Sequence, residues 1–552
     1  MIYKSHLPDI PIPDIDIYSF LIQDNEHNTK PGAENTVVTI DGPTGRTLTH
    51  GQVKDISSRL AAGWIDHLGM KKGDTVAVFA PNQYDHVILY FSLMATGCTI
   101  TPGNPGYTED EFQHQLSNSG AQTLITVPEL LPVLLKVCDK IGLSRERIFL
   151  FGDKQVNGCK PFYSLLPNDP QRRVVAPLQG INPSEDVPFI CYSSGTTGVA
   201  KGVCITHRNF VGQVLVNLNF DPDNNSRDDD RLVAFLPFYH IYGLTGMVMN
   251  SFYRVIPVVV MQRFDLELFC QLVERYKITF ANIVPPIAVL LAKSPIVKKY
   301  NMSSLVRLGS GAAPLGDEHI NALVRAVPST VRQGYGMTET TSGIILQRAG
   351  QSASGSIGVL VSNNEAKIVD ENDNELGHDL PGELLVRGVS IMKGYLNNEE
   401  ANAKTFTKDG WMRTGDVAVF SSKTKEFYIV DRIKELIKYK GLQVAPAELE
   451  AILLGNEKVA DCAVVGVYNS KEATEYPRAY VVLQPGNKDT PNLAKELSDY
   501  VAAKVANHKK LRGGIRFVQA IPKSPSGKIL RKDIRLWIKN EEQQAQQKAA
   551  RL

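Results

Sequence analysis

The stretch Tyr192-Ser193-Ser194-Gly195-Thr196-Thr197-Gly198-Val199-Ala200-Lys201-Gly202 follows directly on an apolar run at residues 187–191. The run predicts a buried strand, and the loop after it combines hydroxyl side chains, glycines and a lysine. Hydroxyl and N–H donors can surround a polyphosphate, and glycine lets the backbone approach it closely. We therefore predict a phosphate-binding loop, with an ordinary polar turn as the alternative. The spacing is not that of the GxxxxGK[ST] loop of common NTPases, because no Ser or Thr follows Lys201 directly.

Strand-like runs alternate with helical patterns on both sides of this loop. Short apolar runs that favour strands lie at residues 75–80, 123–127, 147–151, 231–235, 278–283 and 305–309, and an amphipathic pattern at 315–327 predicts a helix. This alternation is typical of an α/β protein with largely parallel sheets. Around residues 365–389, short strands with Asp/Asn/Gly turns predict a small antiparallel or barrel-like unit.

The pattern of predicted helices and strands changes again near residues 431–434. Beyond this point the patterns predict a helix at 445–454, strands at 460–467 and 478–483, and a second helix at 493–504. A unit of this size is within the usual range for a domain. We therefore predict an α/β fold with a large N-terminal domain, residues 1–432, that has parallel-type sheets plus a small barrel. A small α+β domain, residues 433–552, follows it.

The charge of the chain is unevenly distributed. Lysine and arginine number 60 and acidic residues 58 among 552 residues, but residues 501–552 alone carry a net +10. The composition excludes a disordered chain, a collagen-like repeat or a disulfide scaffold. Seven cysteines without a CxxC pair argue against a structural zinc site, and no apolar run is long enough to span a bilayer. The basic end leaves a nucleic-acid-binding or anion-binding protein open as an alternative.

Four further motifs accompany the loop, in the order Gln333-Gly334-Tyr335-Gly336-Met337-Thr338-Glu339, Trp411-Met412-Arg413-Thr414-Gly415-Asp416, Val430-Asp431-Arg432-Ile433-Lys434-Glu435-Leu436-Ile437-Lys438-Tyr439-Lys440-Gly441 and Pro525-Ser526-Gly527-Lys528. With these motifs the chain resembles the adenylate-forming superfamily of acyl-CoA synthetases, and within it the 4-coumarate–CoA ligases and beetle luciferases. The resemblance implies that ATP and Mg²⁺ activate a carboxylic acid to an acyl-adenylate, and that the acyl group then passes to coenzyme A while the C-terminal domain rotates.

The resemblance also implies roles for residues at the ATP site. Glu339 corresponds to the magnesium ligand, Thr338 to an α-phosphate contact and catalytic residue, Asp416 and Arg432 to ribose contacts, and Tyr335 with Gly311, Ala312 and Ala313 to the adenine pocket. The implied nucleotide contacts are completed by Ser193, Ser194, Gly195, Thr196, Thr197, Gly198, Lys201, Gln333, Gly334, Gly336 and Lys528.

Roles in the two half-reactions follow in the same way. Lys528 corresponds to the lysine that bridges the substrate carboxylate and the α-phosphate, and a lysine suits this role because it is a mobile point charge. His240 corresponds to an active-site histidine beside the carboxylate, and Lys434 to the hinge between the domains. Lys438 corresponds to a residue that acts during thioester formation. The expected coenzyme A contacts are Lys438, Lys440, Gly441, Gln443 and Lys510.

The acyl pocket that the resemblance implies has several small residues. Its expected lining is His240, Tyr242, Thr245, Ser310, Gly311, Gly334, Gly336, Thr341, Ser342 and Gly343. Room for a flat ring or an extended chain favours an aromatic or a medium-to-long-chain acid. The run Thr340-Thr341-Ser342-Gly343 departs from the Ala-Gly-Pro-Val of plant 4-coumarate ligases, which puts a hydroxycinnamate preference in doubt. A luciferase-like monooxygenase is therefore the alternative within the superfamily.

The last three residues, Ala550-Arg551-Leu552, have the small–basic–leucine form of a peroxisomal address. We therefore expect a peroxisomal import receptor as a partner and the peroxisome as the location, with the cytoplasm as the alternative. The basic segment then needs no nucleic-acid partner, because Lys528 is expected to meet ATP and some of its neighbours to meet coenzyme A.

Overall fold

The computed structural model describes residues 1–177, 180–193, 200–220, 229–348, 350, 352–440, 442–469, 472, 474–524 and 527–549, with the side chains of the last helix described through Glu541. Several predicted features lie outside these ranges, namely Ser194, Gly195, Thr196, Thr197, Gly198, Gly441 and the tripeptide Ala550-Arg551-Leu552. The roles assigned to them stay predictions.

Two mainly parallel sheets form the body of the N-terminal part. The first has the strand order Gly394–Tyr395, Lys201–Ile205, Phe189–Ser193, Thr99–Gly103, Thr75–Phe79, Thr123–Thr126, Ile148–Leu150 and Lys160–Pro161. The second has the order Val359–Leu360, Ser342–Leu346, Thr330–Met337, Arg307–Ser310, Phe280–Ile283, Leu232–Ala234, Val258–Val260, Val37–Asp41 and Thr47–Thr49. Antiparallel pairs are confined to the edges of both sheets, so the prediction of an α/β fold with largely parallel sheets is confirmed.

The small unit predicted around residues 365–389 is a five-stranded antiparallel sheet. Its order is Ile2–Lys4, Asn364–Val369, Gly382–Gly388, Met412–Phe420 and Phe427–Arg432. The first strand comes from the N-terminus, where Ile2, Tyr3 and Lys4 pair with Lys367, Ala366 and Glu365. Tyr3 is buried there and stacks on Phe420. This sheet carries Asp416 and Arg432 on neighbouring strands.

After Arg432 the chain builds separate hydrophobic cores. A hairpin of Ile437–Tyr439 and Leu442–Val444 is followed by a three-stranded sheet of Val459–Asn469, Thr474–Leu483 and Ile515–Phe517. One core, which includes Leu449, Val464 and Leu497, lies on one side of this sheet. A second core, which includes Tyr480 and Ile534, lies on the other side.

Helices cover the faces of the sheets, and glycines in the left-handed region end several of them. Thr49 and Gln52 form a capping box at the start of the helix His50–Leu68, and Gly69 ends it at φ 63°. The other helices are Ile17–Ile22, His86–Thr96, Glu109–Ser119, Leu131–Ile141, His207–Phe220, Ile241–Gly243, Leu244–Met249 (a π-turn), Asn250–Tyr253, Leu266–Tyr276, Pro285–Lys293, Asp317–Ala326, Glu399–Thr405, Pro446–Leu454, Pro491–Ala502 and Arg531–Ala549. Within the described ranges, every helix is too short or too polar to cross a membrane.

Candidate active site

One cavity of about 260 Å³ lies where parallel strands of the nine-stranded sheet end. The strands Phe280–Ile283, Arg307–Ser310 and Thr330–Met337 run side by side, and such strand ends are the usual place for ligands in α/β proteins. The predicted site residues that line the cavity are His240, Tyr242, Thr245, Ser310, Gly311, Ala312, Gln333, Gly334, Tyr335, Gly336, Thr338, Ser342, Gly343 and Lys528.

His240 stands at the start of a continuous helical segment that forms one wall. Its Nδ1 accepts a hydrogen bond from the backbone N–H of Tyr242 at 3.3 Å. The Tyr242 hydroxyl donates to Asn282 Oδ1 at 3.0 Å, which fixes the ring against the neighbouring strand. Thr245 donates to the carbonyl of Ile241, one turn earlier. The π-turn Leu244–Met249 follows, and such turns are common at functional sites.

We expect the pH profile of adenylation to be independent of His240. Burial, reinforced by the positive charge of Lys528, lowers the pKa of His240 from 6.5 to about 3. The imidazole is therefore neutral at every pH above that value. His240→Gln should slow pyrophosphate release about tenfold, because contacts of the imidazole are lost. The fall of the rate toward acid pH should occur at the same pH in the variant and in the native protein. The idea fails if the native protein shows an inflection near pH 6.5 that the variant lacks.

Lys528 reaches the cavity from the C-terminal unit. Its loop is held by hydrogen bonds between the Ser524 N–H and the Lys528 carbonyl at 2.8 Å and between the Lys528 N–H and Ser524 Oγ at 3.1 Å. Burial and the nearby Arg432 lower the pKa of Lys528, while Glu339, Asp416 and Glu435 oppose that shift. Among the described residues, no carboxylate lies within ion-pair distance of the Lys528 ammonium group. A cation held in this way at a cavity favours the arrival of an anion.

Tyr335, Asp416 and Arg432 form a linked group beside the cavity. The Tyr335 hydroxyl donates to Asp416 Oδ2 at 2.6 Å, and Arg432 Nε lies 3.1 Å from Asp416 Oδ1. The buried Asp416 carboxylate has its pKa raised by burial, which Arg432, Tyr335 and Lys528 partly offset. Strand pairing of Asp416 with Arg432 brings the two together. The ring of Tyr335 lines the cavity while its hydroxyl anchors Asp416.

Tyr335→Phe should raise the KM for ATP by about tenfold or more. The change keeps the ring that lines the cavity and removes the hydroxyl that holds Asp416, and a hydrogen bond to a charged group contributes about 1.5–3 kcal/mol. Initial rates of pyrophosphate release against ATP concentration measure the effect.

Tyr300→Phe is the matched control for this variant. Tyr300 also donates its hydroxyl to a carboxylate, Glu267, at 3.0 Å, but on the surface of the molecule. We expect the native KM from it. Equal changes in both variants would show that the Tyr335 hydroxyl has no special bearing on the nucleotide.

Glu339 lies beside the cavity at the base of the predicted phosphate loop. Its Oε1 accepts hydrogen bonds from Ser193 Oγ at 3.0 Å and from the Tyr395 hydroxyl at 2.9 Å, and the side chain is buried. Lys201 lies opposite Ser193 on the next strand, with its ammonium group 4.7 Å from the centre of the Tyr395 ring. A carboxylate and a cation therefore flank the beginning and end of the loop.

The segment 336–343 contributes several residues to the cavity wall. A Cβ at Gly336 would lie 2.0 Å from the carbonyl oxygen of Ser342, so only glycine fits there. Thr341 and Ser342 have φ values of 53° and 97°, and strained backbone of this kind occurs at functional sites.

Thr341, which was expected to line the acyl pocket, does not line this cavity. The side chain of Thr341 is fully buried, and its hydroxyl donates to the carbonyl of Ser390 at 2.7 Å, away from the cavity. The positive φ of Thr341 turns the chain, so that Ser342 and Gly343 border the cavity and Thr341 packs behind it.

The described residues assigned to the hinge and to coenzyme A do not line the cavity. Lys434 is exposed after the strand that ends at Arg432. Lys438 and Gln443 are cross-strand partners in the hairpin, and both are exposed. Lys440 is exposed and pairs with Glu472 at 2.8 Å. Of the described predicted residues, those that do not line the cavity are Ser193, Lys201, Ala313, Glu339, Thr341, Asp416, Arg432, Lys434, Lys438, Lys440, Gln443 and Lys510.

Part of the basic charge near the C-terminus is paired within the fold. Lys509 pairs with Glu448 at 2.6 Å and Lys523 with Asp461 at 2.7 Å. Arg531 is buried between Glu435 and Glu450. These pairs weaken the alternative of a nucleic-acid-binding tail, because charge neutralised inside the fold contributes little to binding phosphates.

Sequence reasoning missed Tyr395 and Arg254. Tyr395 holds Glu339, and its position after Gly394 in a two-residue strand gives no sign of this. Arg254 lies at the opposite end of the cavity from Lys528, near Asp230 and Arg307. Its position after the short helix Asn250–Tyr253, whose sequence is Asn-Ser-Phe-Tyr, gave no signal that could have found it.

Two protein-family models match the chain, one on each side of Arg432. The model for the AMP-binding enzyme family matches residues 25–396, and the model for the AMP-binding enzyme C-terminal domain matches residues 448–528. The chain is 39% identical over 544 residues to 4-coumarate–CoA ligase 5 of Oryza sativa subsp. japonica, which covers 97% of each protein. It is 38% identical to 4-coumarate–CoA ligase 1 of Petroselinum crispum, over 97% of this chain and 96% of that protein.

Solved structures share the fold at lower identity. The anthranilate CoA ligase AuaEII in complex with anthranoyl-AMP aligns with a TM-score of 0.86 and 24% identity, over 97% of this chain and 99% of that chain. ATP-bound MatB from Rhodopseudomonas palustris aligns with a TM-score of 0.82 and 22% identity, over 95% of this chain and 98% of that chain.

Proposed function

Since the chain belongs to the AMP-binding enzyme family, we propose that it is an ATP-dependent acid–CoA ligase. Its substrate is an aromatic or a medium-to-long-chain carboxylic acid. The observation that carries this proposal is the cavity in which Lys528, from the C-terminal unit, meets His240, Tyr335 and Thr338 from the N-terminal part. Residues 1–432 act as the adenylation domain and residues 433–552 as the domain that moves.

In the first half-reaction a carboxylate oxygen of the acid attacks the α-phosphorus of ATP. The bond from that phosphorus to the bridging oxygen of pyrophosphate breaks, and the acyl-adenylate forms. Both reactants are anions, so the site must supply cations and donors. Lys528 neutralises the approaching groups, Thr338 donates to the α-phosphate, and Asp416 accepts from the ribose hydroxyls. The adenine pocket is lined by Tyr335, Gly311, Ala312 and Ala313. The rim of that pocket is completed by Gln333, Gly334 and Gly336.

In the second half-reaction the sulfur of coenzyme A attacks the acyl carbon. The bond between that carbon and the phosphate oxygen breaks, AMP leaves, and the thiol proton is lost to solvent. This step needs space for the pantetheine arm where Lys528 now stands. The C-terminal domain therefore turns about Lys434, and the exposed Lys438 and Gln443 come to the site. Lys440, Gly441 and Lys510 then face the phosphates of coenzyme A.

Glu339 fits the role of a magnesium ligand that binds together with ATP. Among the described residues no group of three or more His, Cys, Asp or Glu side chains could hold a metal ion. A single buried carboxylate is nevertheless what Mg²⁺ needs when phosphate oxygens and water supply the other ligands. Once bound there, the ion would neutralise phosphate charge. Ser193 and Tyr395 keep the Glu339 carboxylate oriented by their hydrogen bonds.

A screen of pyrophosphate release, with and without coenzyme A, tests the proposal. Cinnamates, benzoates, phenylacetate and fatty acids of graded length are the substrates. We expect ATP- and acid-dependent pyrophosphate release and, with coenzyme A, an acyl-CoA product. If none of the acids in the panel supports pyrophosphate release, the proposal is contradicted. Light from the protein with luciferin, ATP and oxygen, at a rate comparable to thioester formation, would favour the luciferase-like alternative.

A further inference from the structure

The cavity continues past the reaction centre to the beginning of the same strands. Ser310 lies between Ile283 and Gln333 in the row of strand residues nearest to Lys528. Three residues earlier, Arg307 lies between Phe280 and Thr330. Ser310 and Gln333 of the first row and all three residues of the second line the same cavity, and three residues of strand span about 10 Å. The space between them is the length available to an acyl group.

The wall of this space combines apolar side chains with polar ones such as Asn282. Leu308, Phe280, Ile256 and Leu346 supply apolar wall. Apart from Lys528, the described Asp and Arg side chains that line this space are Asp230, Arg231, Arg254, Arg307 and Arg332, which makes four cations and one anion. Arg332 lies beside Gly309 and has an interaction of its own within the chain. Arg231 is exposed and donates to the carbonyl of Tyr276, so it faces partly outward.

Arg254 is the cation that the fold leaves least satisfied. Asp230 forms a short ion pair with Arg307 and accepts a hydrogen bond from the Thr279 hydroxyl at 2.9 Å. The Nη2 atom of Arg254 is farther away, 3.7 Å from the Asp230 carboxylate. The Nε and Nη2 atoms of Arg254 are buried and have no hydrogen-bond partner among the described residues. Burial and the nearby Arg307 lower the pKa of Arg254 to about 10 against the opposing effect of Asp230. Buried donors without acceptors are costly, so this end of the cavity favours an acceptor.

We propose that Arg254 binds an oxygen acceptor, best a carboxylate, at the far end of the acyl substrate. The preferred acid is therefore bifunctional: one carboxylate reacts beside Lys528, and a second acidic oxygen group pairs with Arg254 across an apolar body. A guanidinium suits this role because its fork of N–H donors matches a carboxylate. The inference rests on the proposed function, since it assigns the acyl substrate of the same cavity.

Two length-matched pairs of acids test the inference with the native protein. Azelate is compared with nonanoate, and 4-carboxycinnamate with cinnamate, by kcat/KM for pyrophosphate release. We expect the acid with the second carboxylate to be preferred by about tenfold or more in at least one pair, the range that a hydrogen bond to a charged group supplies. If the acid with one carboxylate is equal or better in both pairs, the inference is overturned while the ligase proposal stands.

A variant assigns the preference to Arg254. Arg254→Met should lower kcat/KM for the preferred diacid by about 10–100-fold and leave the matched monoacid within about threefold. Arg325→Met, which removes an arginine from the exposed surface of the helix Asp317–Ala326, should retain the native preference. Equal loss on both acids in Arg254→Met would show a structural role only and overturn the inference. Absence of pyrophosphate release with every acid would instead remove the proposed function and the inference with it.

Discussion

Replacing Lys528 by methionine should lower the rate of acyl-adenylate formation by about 100–1,000-fold, the loss typical when one charged or donor group is removed from a developing anion. The ammonium group lines the cavity beside His240 and Thr338 and stands apart from the ion pairs of the described residues. Methionine keeps most of the length of the side chain and removes the charge. Acid-dependent exchange of pyrophosphate into ATP measures this half-reaction alone.

Thioester formation from supplied acyl-adenylate and coenzyme A should remain largely intact in the same variant. The acyl-adenylate already carries the bond that Lys528 is proposed to help form, and the proposed rotation of the domain would remove Lys528 from the site in this step. A melting temperature close to the native value serves as the folding control, because the Lys528 loop is held by backbone and Ser524 contacts that the substitution keeps. Equal loss of both half-reactions would contradict the assignment of Lys528 to adenylation.

The sequence predicted most reliably the features that depend on local patterns. The apolar runs at 75–80, 123–127 and 278–283 correspond to the strands Thr75–Phe79, Thr123–Thr126 and Phe280–Ile283. Parallel strands bury both faces, so their apolar character is continuous and easy to read. The strand Ile2–Lys4 was missed because it is three residues long and gains its stability from a partner more than 350 residues away.

The same distinction holds for the site. Tyr335, Thr338 and Lys528 belong to compact motifs, and all three line the cavity. Thr341 also belongs to a quoted run of residues, but its side chain is buried against Ser390 and does not line the cavity. The positive φ at Thr341 could not be predicted from the residue type. Asp230, Arg254 and Arg307 come from three separate segments and meet only in the folded chain. Specificity at the far end of the cavity therefore depends on tertiary packing, which local patterns do not record.

Replacing Lys438 by alanine should have the opposite bias from Lys528→Met, with thioester formation lowered by about 100-fold and adenylation near the native rate. The Lys438 side chain is exposed on the hairpin, while its backbone N–H donates to Glu475 at 2.7 Å. A side chain in solvent contributes little to the fold, and none of the described residues of this hairpin lines the cavity. An effect confined to the second half-reaction therefore requires that the domain bring Lys438 to the site. Release of AMP and formation of acyl-CoA from supplied acyl-adenylate measure this step.

Gln443 and Lys440 sharpen this prediction. Gln443 lies opposite Lys438 across the hairpin, so Gln443→Ala should impair the same half-reaction, less severely because no charge is lost. Lys440 is proposed to face the phosphates of coenzyme A, so Lys440→Ala should raise the KM for coenzyme A without lowering the rate at saturation. The rise should be small, because Glu472 already pairs with Lys440 at 2.8 Å. A fall in adenylation with Lys438→Ala would place this hairpin at the site before the domain turns, and rotation would no longer explain how one cavity carries out both steps.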